Sequence, residues 1–340
     1  MRAAVFHEHG DPKVVRVEDV PEPDLGPGEV LIRVGAAALN HLDLWLRRGL
    51  PIETTMPHIG GSDIAGVVAG LGPGVDGIAT GAHVVVNPSL SCGACEPCGR
   101  GDEPLCADFR IIGEHTQGGF AEYVTAPAGN LFVIPDDYPL ERAAAAPLAF
   151  LTAWHGVMSR GRLREGESVL ITGASGGVAT AAIQIARRAG ARVFALTTGD
   201  NADRVRDLGA SVVIDRTQDD FGRELWLATA KRGVDLIFDS VGQALWSTNL
   251  RSLARAGRLV TYGATTGNAG QTDIRQVFWK QLDILGTTMA GREEFETVMR
   301  LVFDGDLEPV VDTVMPLGRA AEAHERLENG NAFGKIVLVP

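Results

Sequence analysis

Val169-Leu170-Ile171-Thr172-Gly173-Ala174-Ser175-Gly176-Gly177-Val178-Ala179 reads as a strand, a tight turn and the start of a helix. The apolar run gives way to small residues, and Gly177 to Ala189 then has helical composition. Gly176 lets backbone approach an anionic group, and a helix N-terminus offers free N–H groups and a positive dipole end. The turn therefore suits a pyrophosphate, with Ala174, Ser175, Gly176, Gly177 and Val178 as its contacts. The match to G-x-G-x-x-G is imperfect, because Ala174 and Ala179 take the outer positions. Alone the turn is also compatible with any strand–helix junction, so its surroundings decide.

Those surroundings alternate. Arg192 to Leu196 reads as a strand, Asp203 to Leu208 as a helix and Val212 to Ile214 as a strand. Val234 to Asp239 follows as a strand, Ala244 to Leu253 as a helix and Arg258 to Tyr262 as a strand. Such alternation predicts an α/β unit with a doubly wound parallel sheet of Rossmann type over 150–288. An NAD site usually ends its second strand with an acid on the ribose hydroxyls. Here Thr197 and Thr198 stand there, with Arg192 or Arg204 as sources of positive charge, so NADP(H) is favoured over NAD(H). Each arginine alone reads equally well as part of a solvated surface. Tyr262 and Gly263 close a strand at the expected cofactor edge.

Upstream the chain is different. Val14 to Val20, Glu29 to Val34, Ile64 to Val68 and His83 to Val86 are short apolar-rich runs between Pro and Gly turns. They predict a β-rich, barrel-like domain. Ala143 to Met158 reads as one helix leading into the parallel sheet. Beyond Thr288, Glu293 to Phe303 and Gly318 to Glu328 read as helices and Gly334 to Val339 as a last strand. This tail is expected to return to the first domain, giving 1–149 with 289–340 as one domain and an active site in the cleft between the two.

Four cysteines are present, Cys92, Cys95, Cys98 and Cys106, spaced C-x2-C-x2-C-x7-C within a lobe of about 91–113. Two-residue gaps let thiolates converge on one ion, and four thiolates favour tetrahedral zinc with no open position. Disulfides and an iron–sulfur cluster are the alternatives. The ferredoxin spacing, with its fourth cysteine three residues on and followed by proline, is not seen. One structural zinc per chain is the expectation. A formal charge of −12 and no run of Lys or Arg exclude a nucleic-acid or anionic-membrane partner. No stretch has the length of a signal peptide or a membrane span, so a cytoplasmic protein acting on a small molecule is expected.

The chain resembles the medium-chain dehydrogenase/reductases, the superfamily of zinc alcohol dehydrogenases and quinone oxidoreductases. The likeness runs through Met1-Arg-Ala-Ala-Val, Ala38-Leu-Asn-His-Leu-Asp43, Gly60-Gly-Ser-Asp-Ile-Ala-Gly66, the cysteine lobe, the glycine turn, Phe238-Asp-Ser-Val-Gly242 and Phe333-Gly-Lys-Ile-Val337. It implies a GroES-like fold for the first domain. It also implies a homodimer, sometimes doubled to a homotetramer, with Asp283 to Met289 as a pairing edge. Where zinc alcohol dehydrogenases carry catalytic-zinc ligands, this chain has Asn40, Ser62, Asp63 and roughly Leu148. Every cysteine is already in the lobe, Asn and Ser are poor zinc ligands, and Leu is none.

Without a Lewis acid, an unactivated alkoxide has little to stabilise it, whereas a conjugated acceptor passes hydride charge to an oxygen that hydrogen bonds can hold. The expected reaction is reduction of a quinone or α,β-unsaturated carbonyl. Asn40 is the first candidate for the oxygen donor, since its amide donates two hydrogen bonds. Asp43 is read as orienting the loop, contacting the nicotinamide ribose or capping a helix. Asp63 is read as pairing within the pocket, and Thr152 as approaching the nicotinamide or packing its helix. Two other readings stand beside this one. The first is an alcohol dehydrogenase with zinc held by His41, His58, Asp43 and Asp63. The second is a non-enzymatic NADPH-binding protein.

Overall fold

The structure, a computed structural model, describes residues 1–217 and 220–340. It divides into two compact units, Met1–Leu148 with Ala290–Pro340, and Ala149–Met289.

The first unit is built on a seven-stranded sheet. Its central strand, Glu29–Ala38, pairs antiparallel with Asp63–Leu71, with Tyr123–Pro127 and with the C-terminal strand Lys335–Val339. Alternate residues Val30, Ile32 and Val34 are buried, the period-2 pattern of a half-covered strand. Val311–Pro316 lies parallel to the C-terminal strand at the sheet's edge. A three-stranded sheet of Arg16–Asp19, Arg2–Phe6 and His58–Ile59 shares the same apolar core.

Pairing at one end of the central strand sets up everything that follows. Ala38 is opposite Asp63 on one side and opposite Val337 on the other. The Leu39 N–H donates to the Ile336 carbonyl at 2.9 Å. Continuing that antiparallel register by two places sets Lys335 opposite Asn40. The chain then turns into the helix His41–Arg48, so the loop read as Ala38 to Asp43 is a strand end joined to a helix start.

The second unit carries six parallel strands, Ser168–Ile171, Arg192–Thr197, Val212–Asp215, Val234–Asp239, Leu253–Thr261 and Asp283–Gly286. Taken in chain order, their order across the sheet is 3-2-1-4-5-6, the doubly wound arrangement. The helix Gly177–Arg188 follows the first strand and buries Ala179, Ala182, Ile183 and Ala186, leaving its arginines out.

The single helix expected over Ala143 to Met158 is three pieces. Leu140–Ala143 ends, Pro147 opens a second helix to Trp154, and His155–Arg160 is a π turn. Proline suits a first helical position and cannot continue a helix across it. In the π turn, a Cβ on Gly156 would sit 2.3 Å from the Phe238 ring, so only glycine fits there. Among the described residues no helix is long and apolar enough to cross a membrane.

Candidate active site

Three polar side chains meet where the strand ends converge. Lys335 Nζ donates to Asn40 Oδ1 at 2.5 Å and to Asp63 Oδ2 at 2.7 Å. Asn40 Nδ2 donates to the same Asp63 oxygen at 2.9 Å, and the Leu148 N–H donates to the other at 2.6 Å. Lys335 and Asp63 are 4% and 0% exposed, so this ion pair is one that water does not screen. Sequence reasoning placed Asn40 and Asp63 here and gave Lys335 no role. Its signal was available: Lys335 opens an otherwise wholly apolar strand, Lys335–Val339, and an unpaired charge is not tolerated in such a place.

Asp43 performs a different task. Its carboxylate accepts from the Asn40 N–H at 2.7 Å and from the Gly61 N–H at 3.0 Å. It thereby ties the first turn of the helix to the loop before Asp63. Gly61, at φ +95°, packs against Phe120, where a Cβ would come within 2.7 Å of the ring. Burial raises the Asp43 carboxyl to about 6, against the pull of the two N–H groups. His41 lies on the exposed side of the helix start, its pKa lowered by partial desolvation and then by the charges of Lys335 and Arg48.

Glu114 was not singled out from sequence. It is buried, and burial followed by the charge of Asp43 raises its carboxyl from 4.5 to about 7. The fold therefore keeps a proton that the unfolded chain loses above about pH 4.5, and stability from this group falls as pH rises toward 7. Glu114→Gln is expected to raise Tm at pH 8, by about 1–3 kcal/mol of stability, and to leave it nearly unchanged at pH 4.5. Thermal scans at the two pH values check this, and an equal shift at both would contradict it.

Cys92, Cys95, Cys98 and Cys106 place their sulfurs within 4.8 Å of one another. Tetrahedral zinc with bonds of about 2.3 Å has sulfur–sulfur edges of about 3.8 Å, so the four thiols fit one ion closely. The Cys92 N–H points at Cys106 Sγ at 3.5 Å, a contact that helps orient that sulfur within the lobe.

The positions corresponding to catalytic-zinc ligands do not fit that metal. Asn40 Oδ1 and Asp63 Oδ2 both face an ammonium, and Ser62 offers only a buried neutral hydroxyl. His58 turns away, its Nε2 3.1 Å from the Gly113 carbonyl oxygen. Among the described residues, only the four cysteines gather three or more His, Cys, Asp or Glu ligand atoms. The set His41, His58, Asp43 and Asp63 is not brought together.

In the second unit, the turn residues Gly173 to Gly177 follow the carboxyl end of the interior strand Ser168–Ile171. Gly173 has φ +58°, and the Gly176 N–H donates to its carbonyl at 2.9 Å. The Ala174 N–H is held by the Leu196 carbonyl at 3.1 Å. Gly176 caps the 12-residue helix Gly177–Arg188 with no side-chain hydrogen bond, so an anion can take the place of a capping side chain over Gly177 and Val178. Ser175 lies in the same turn. Thr197 is buried at the end of the second strand, and the Thr198 hydroxyl accepts from Asn201 Nδ2 at 3.1 Å. Arg204 is exposed on the helix Ala202–Leu208. Arg192 is at the other end of the second strand from Thr197, its guanidinium 4.8 Å over Phe194, so it supplies no charge to this edge. The third strand brings in a carboxylate that sequence reading did not place here. Asp215 pairs in register with Thr197, and a Cβ on Gly199 would sit 2.6 Å from its Oδ2.

Tyr262 stacks on Phe238 with centroids 4.1 Å apart, and its N–H donates to the Asp239 carbonyl at 3.0 Å. Gly263 lies against Ser240. Asp239, fully buried, accepts from Thr172 Oγ1 at 2.6 Å and from the Gly242 N–H at 2.9 Å, locking the strand ends on which the turn stands. Thr152 is buried, with Met289 Sδ 3.9 Å from its hydroxyl, a packing position.

Residues 26–136 match the alcohol dehydrogenase GroES-like domain, and residues 208–338 match the zinc-binding dehydrogenase domain. The chain is 31% identical to an acryloyl-coenzyme A reductase of Sulfurisphaera tokodaii, over 96% of each chain. It is also 31% identical to an NAD-dependent alcohol dehydrogenase of Sulfolobus acidocaldarius, over 99% of each. The crystal structure of an NAD-dependent alcohol dehydrogenase, 44% identical, superposes with a TM-score of 0.97 over 100% of both chains. The chain belongs to the medium-chain dehydrogenase/reductase superfamily of NAD(P)-dependent oxidoreductases, with the GroES-like and Rossmann folds of that superfamily.

Proposed function

We propose that this enzyme reduces α,β-unsaturated carbonyls or quinones by hydride transfer, with no catalytic zinc. The observation that carries the reading is the Lys335–Asn40–Asp63 cluster, where an ammonium and an amide meet in place of a divalent ion. A nicotinamide cofactor held at the glycine turn would supply the hydride taken up at the β-carbon of an enone, and would be oxidised in doing so. The double-bond electrons move toward the carbonyl oxygen, and a proton taken from solvent then closes the α-carbon as the enolate charge returns from oxygen. Asn40 donates to the oxygen as its negative charge grows. Asp63 holds Asn40 and Lys335 in place, and Asp43 fixes the helix start that carries Asn40. Thr152, packed on Met289, would border a bound nicotinamide. Similarity to an acryloyl-coenzyme A reductase supports an activated alkene as substrate.

The cofactor is assigned to Ala174, Ser175, Gly176, Gly177 and Val178 at the pyrophosphate, with Tyr262 and Gly263 toward the nicotinamide. NADP(H) is assigned over NAD(H) because Thr197 and Thr198 end the second strand, with exposed Arg204 and Arg216 beyond it. Asp215 is the opposing charge at this edge, and the ratio of kcat/KM for NADPH and NADH reads the balance. The four cysteines are assigned one structural zinc, which thiols keep in a reducing cytoplasm. The rival, an alcohol dehydrogenase with rearranged ligands, is tested in the same assay. NAD(P)H oxidation with enones and quinones, and none with simple alcohols or aldehydes in either direction, supports the proposal. Turnover of alcohols alone overturns it, and cofactor binding with no turnover supports a non-enzymatic binder.

The protein is proposed to act as a homodimer, which can double to a tetramer. Among the described residues the edge strand Asp283–Gly286 pairs on one side only; Ile284 on it, and Ile274, Phe278 and Trp279 on the helix before it, are exposed apolar side chains. An open strand edge beside an apolar surface pairs readily with its own copy. Trp279→Asp is expected to shift the sedimenting species from a dimer to the 36.0 kDa monomer. An unchanged mass would place the interface elsewhere.

A further inference from the structure

An amide has two nearly identical ends, and catalysis by Asn40 requires that the N–H end face the substrate. Two one-way partners decide this. Lys335 only donates, and it sits on Asn40 Oδ1 at 2.5 Å. The Asp63 carboxylate accepts from Nδ2 at 2.9 Å. Turning the amide over would set N–H against ammonium and carbonyl against carboxylate at once. One hydrogen on Nδ2 is then left without an acceptor among the described residues, as is one on the Lys335 ammonium, which has three and uses two. Free donors on side chains this deeply buried are costly unless an acceptor arrives.

We propose that Lys335 is a positioning residue for the reaction: it fixes the Asn40 amide with its remaining N–H available to the substrate oxygen. The proposal rests on the reading of Asn40 as the oxygen donor. No step passes through a bond to Lys335. It is present before substrate binds, so no reorganisation is needed as charge develops on the oxygen. An arginine would retain a one-way donor at Oδ1, whereas methionine of similar length would leave Asp63 as the one remaining partner that orients the amide.

The test is a double-mutant cycle on the holoenzyme with an enone substrate. Lys335→Met is expected to lower kcat about 10–100-fold with the KM for cofactor unchanged, and Lys335→Arg to restore most of it. In an Asn40→Ala background, Lys335→Met is expected to cost no more than about twofold, since the group it positions is gone. Equal losses in both backgrounds, or a weakened cofactor Kd, overturn the assignment. Should Lys335→Met not fold because Asp63 is left unpaired, Asp63→Asn with Lys335→Met keeps the cluster neutral and is compared with Asp63→Asn alone.

A second readout separates this proposal from the functional reading. 4-Nitrophenolate, an enolate-like oxyanion, is titrated into enzyme saturated with oxidised cofactor and followed by absorbance. Wild type is expected to bind it about tenfold more tightly than Lys335→Met. If that difference holds while no enone is reduced, Lys335 keeps its role and the enone reading fails. If the two bind equally, the role of Lys335 is overturned whatever the substrate.

Discussion

Replacing Asn40 by alanine is expected to lower kcat for enone or quinone reduction by about 10²–10³, corresponding to about 2.7–4 kcal/mol for one lost oxygen donor. The loss falls on kcat and kcat/KM alike, because the amide matters most when the oxygen carries charge. The fold should survive. The Asn40 backbone N–H still donates to Asp43, and Lys335 keeps its ion pair with Asp63. Asn40→Asp should be at least as damaging, since it sets a second carboxylate beside Asp63 and removes the donor. Steady-state kinetics with a thermal scan of each variant checks the expectation. A change of less than about threefold in kcat with intact folding would show that Asn40 is not the donor.

The second large effect is expected at the cysteine lobe. Cys98→Ser removes one of four converging sulfurs. Around it, Cys92, Ala94, Glu96 and Arg100 are exposed, and the two helical pieces, Glu96–Gly99 and Glu103–Leu105, are a turn each. Such a lobe has little core of its own, so on the proposal of a structural zinc its order would depend on the ion. Structural zinc supplies folding free energy directly, about 10–16 kcal/mol in small zinc-dependent folds. Cys98→Ser should release the zinc, open the segment 91–113 to protease and lower Tm by several degrees. A variant that keeps its metal and resists cleavage would contradict a structural role for the ion.

Local patterns were legible in the sequence, and long-range pairing was not. The strand–turn–helix at Val169 to Ala179 is a local event, and the parallel sheet around it follows from alternation alone. The cysteine spacing is local too, and the sulfurs converge as it implied. Lys335 escaped notice because its partners lie 272 and 295 residues away and meet it only through antiparallel register. Lys335 stands in the closing segment Phe333-Gly-Lys-Ile-Val337, and its burial in an apolar strand is the feature that matters. Arg192 was considered for the cofactor edge because sequence proximity to Thr197 hid which end of the strand it occupies. The helix Ile274–Lys280 went unread although Ile274, Val277 and Phe278 recur at i, i+3 and i+4, because seven residues are too few for that period to stand out. Glu114 has no motif. Its raised pKa arises from burial and the charge of Asp43, which only the folded chain brings together.

The central claim is that protein groups around Asn40, not a divalent ion, meet the charge of the reacting oxygen. Metal counting on the purified protein, after equilibration with excess zinc and removal of loosely bound ion, tests it most directly. One zinc per chain, falling to none in Cys98→Ser and unchanged in Asp63→Asn, is the predicted result. Two zincs per chain, with one lost in Asp63→Asn, would contradict it.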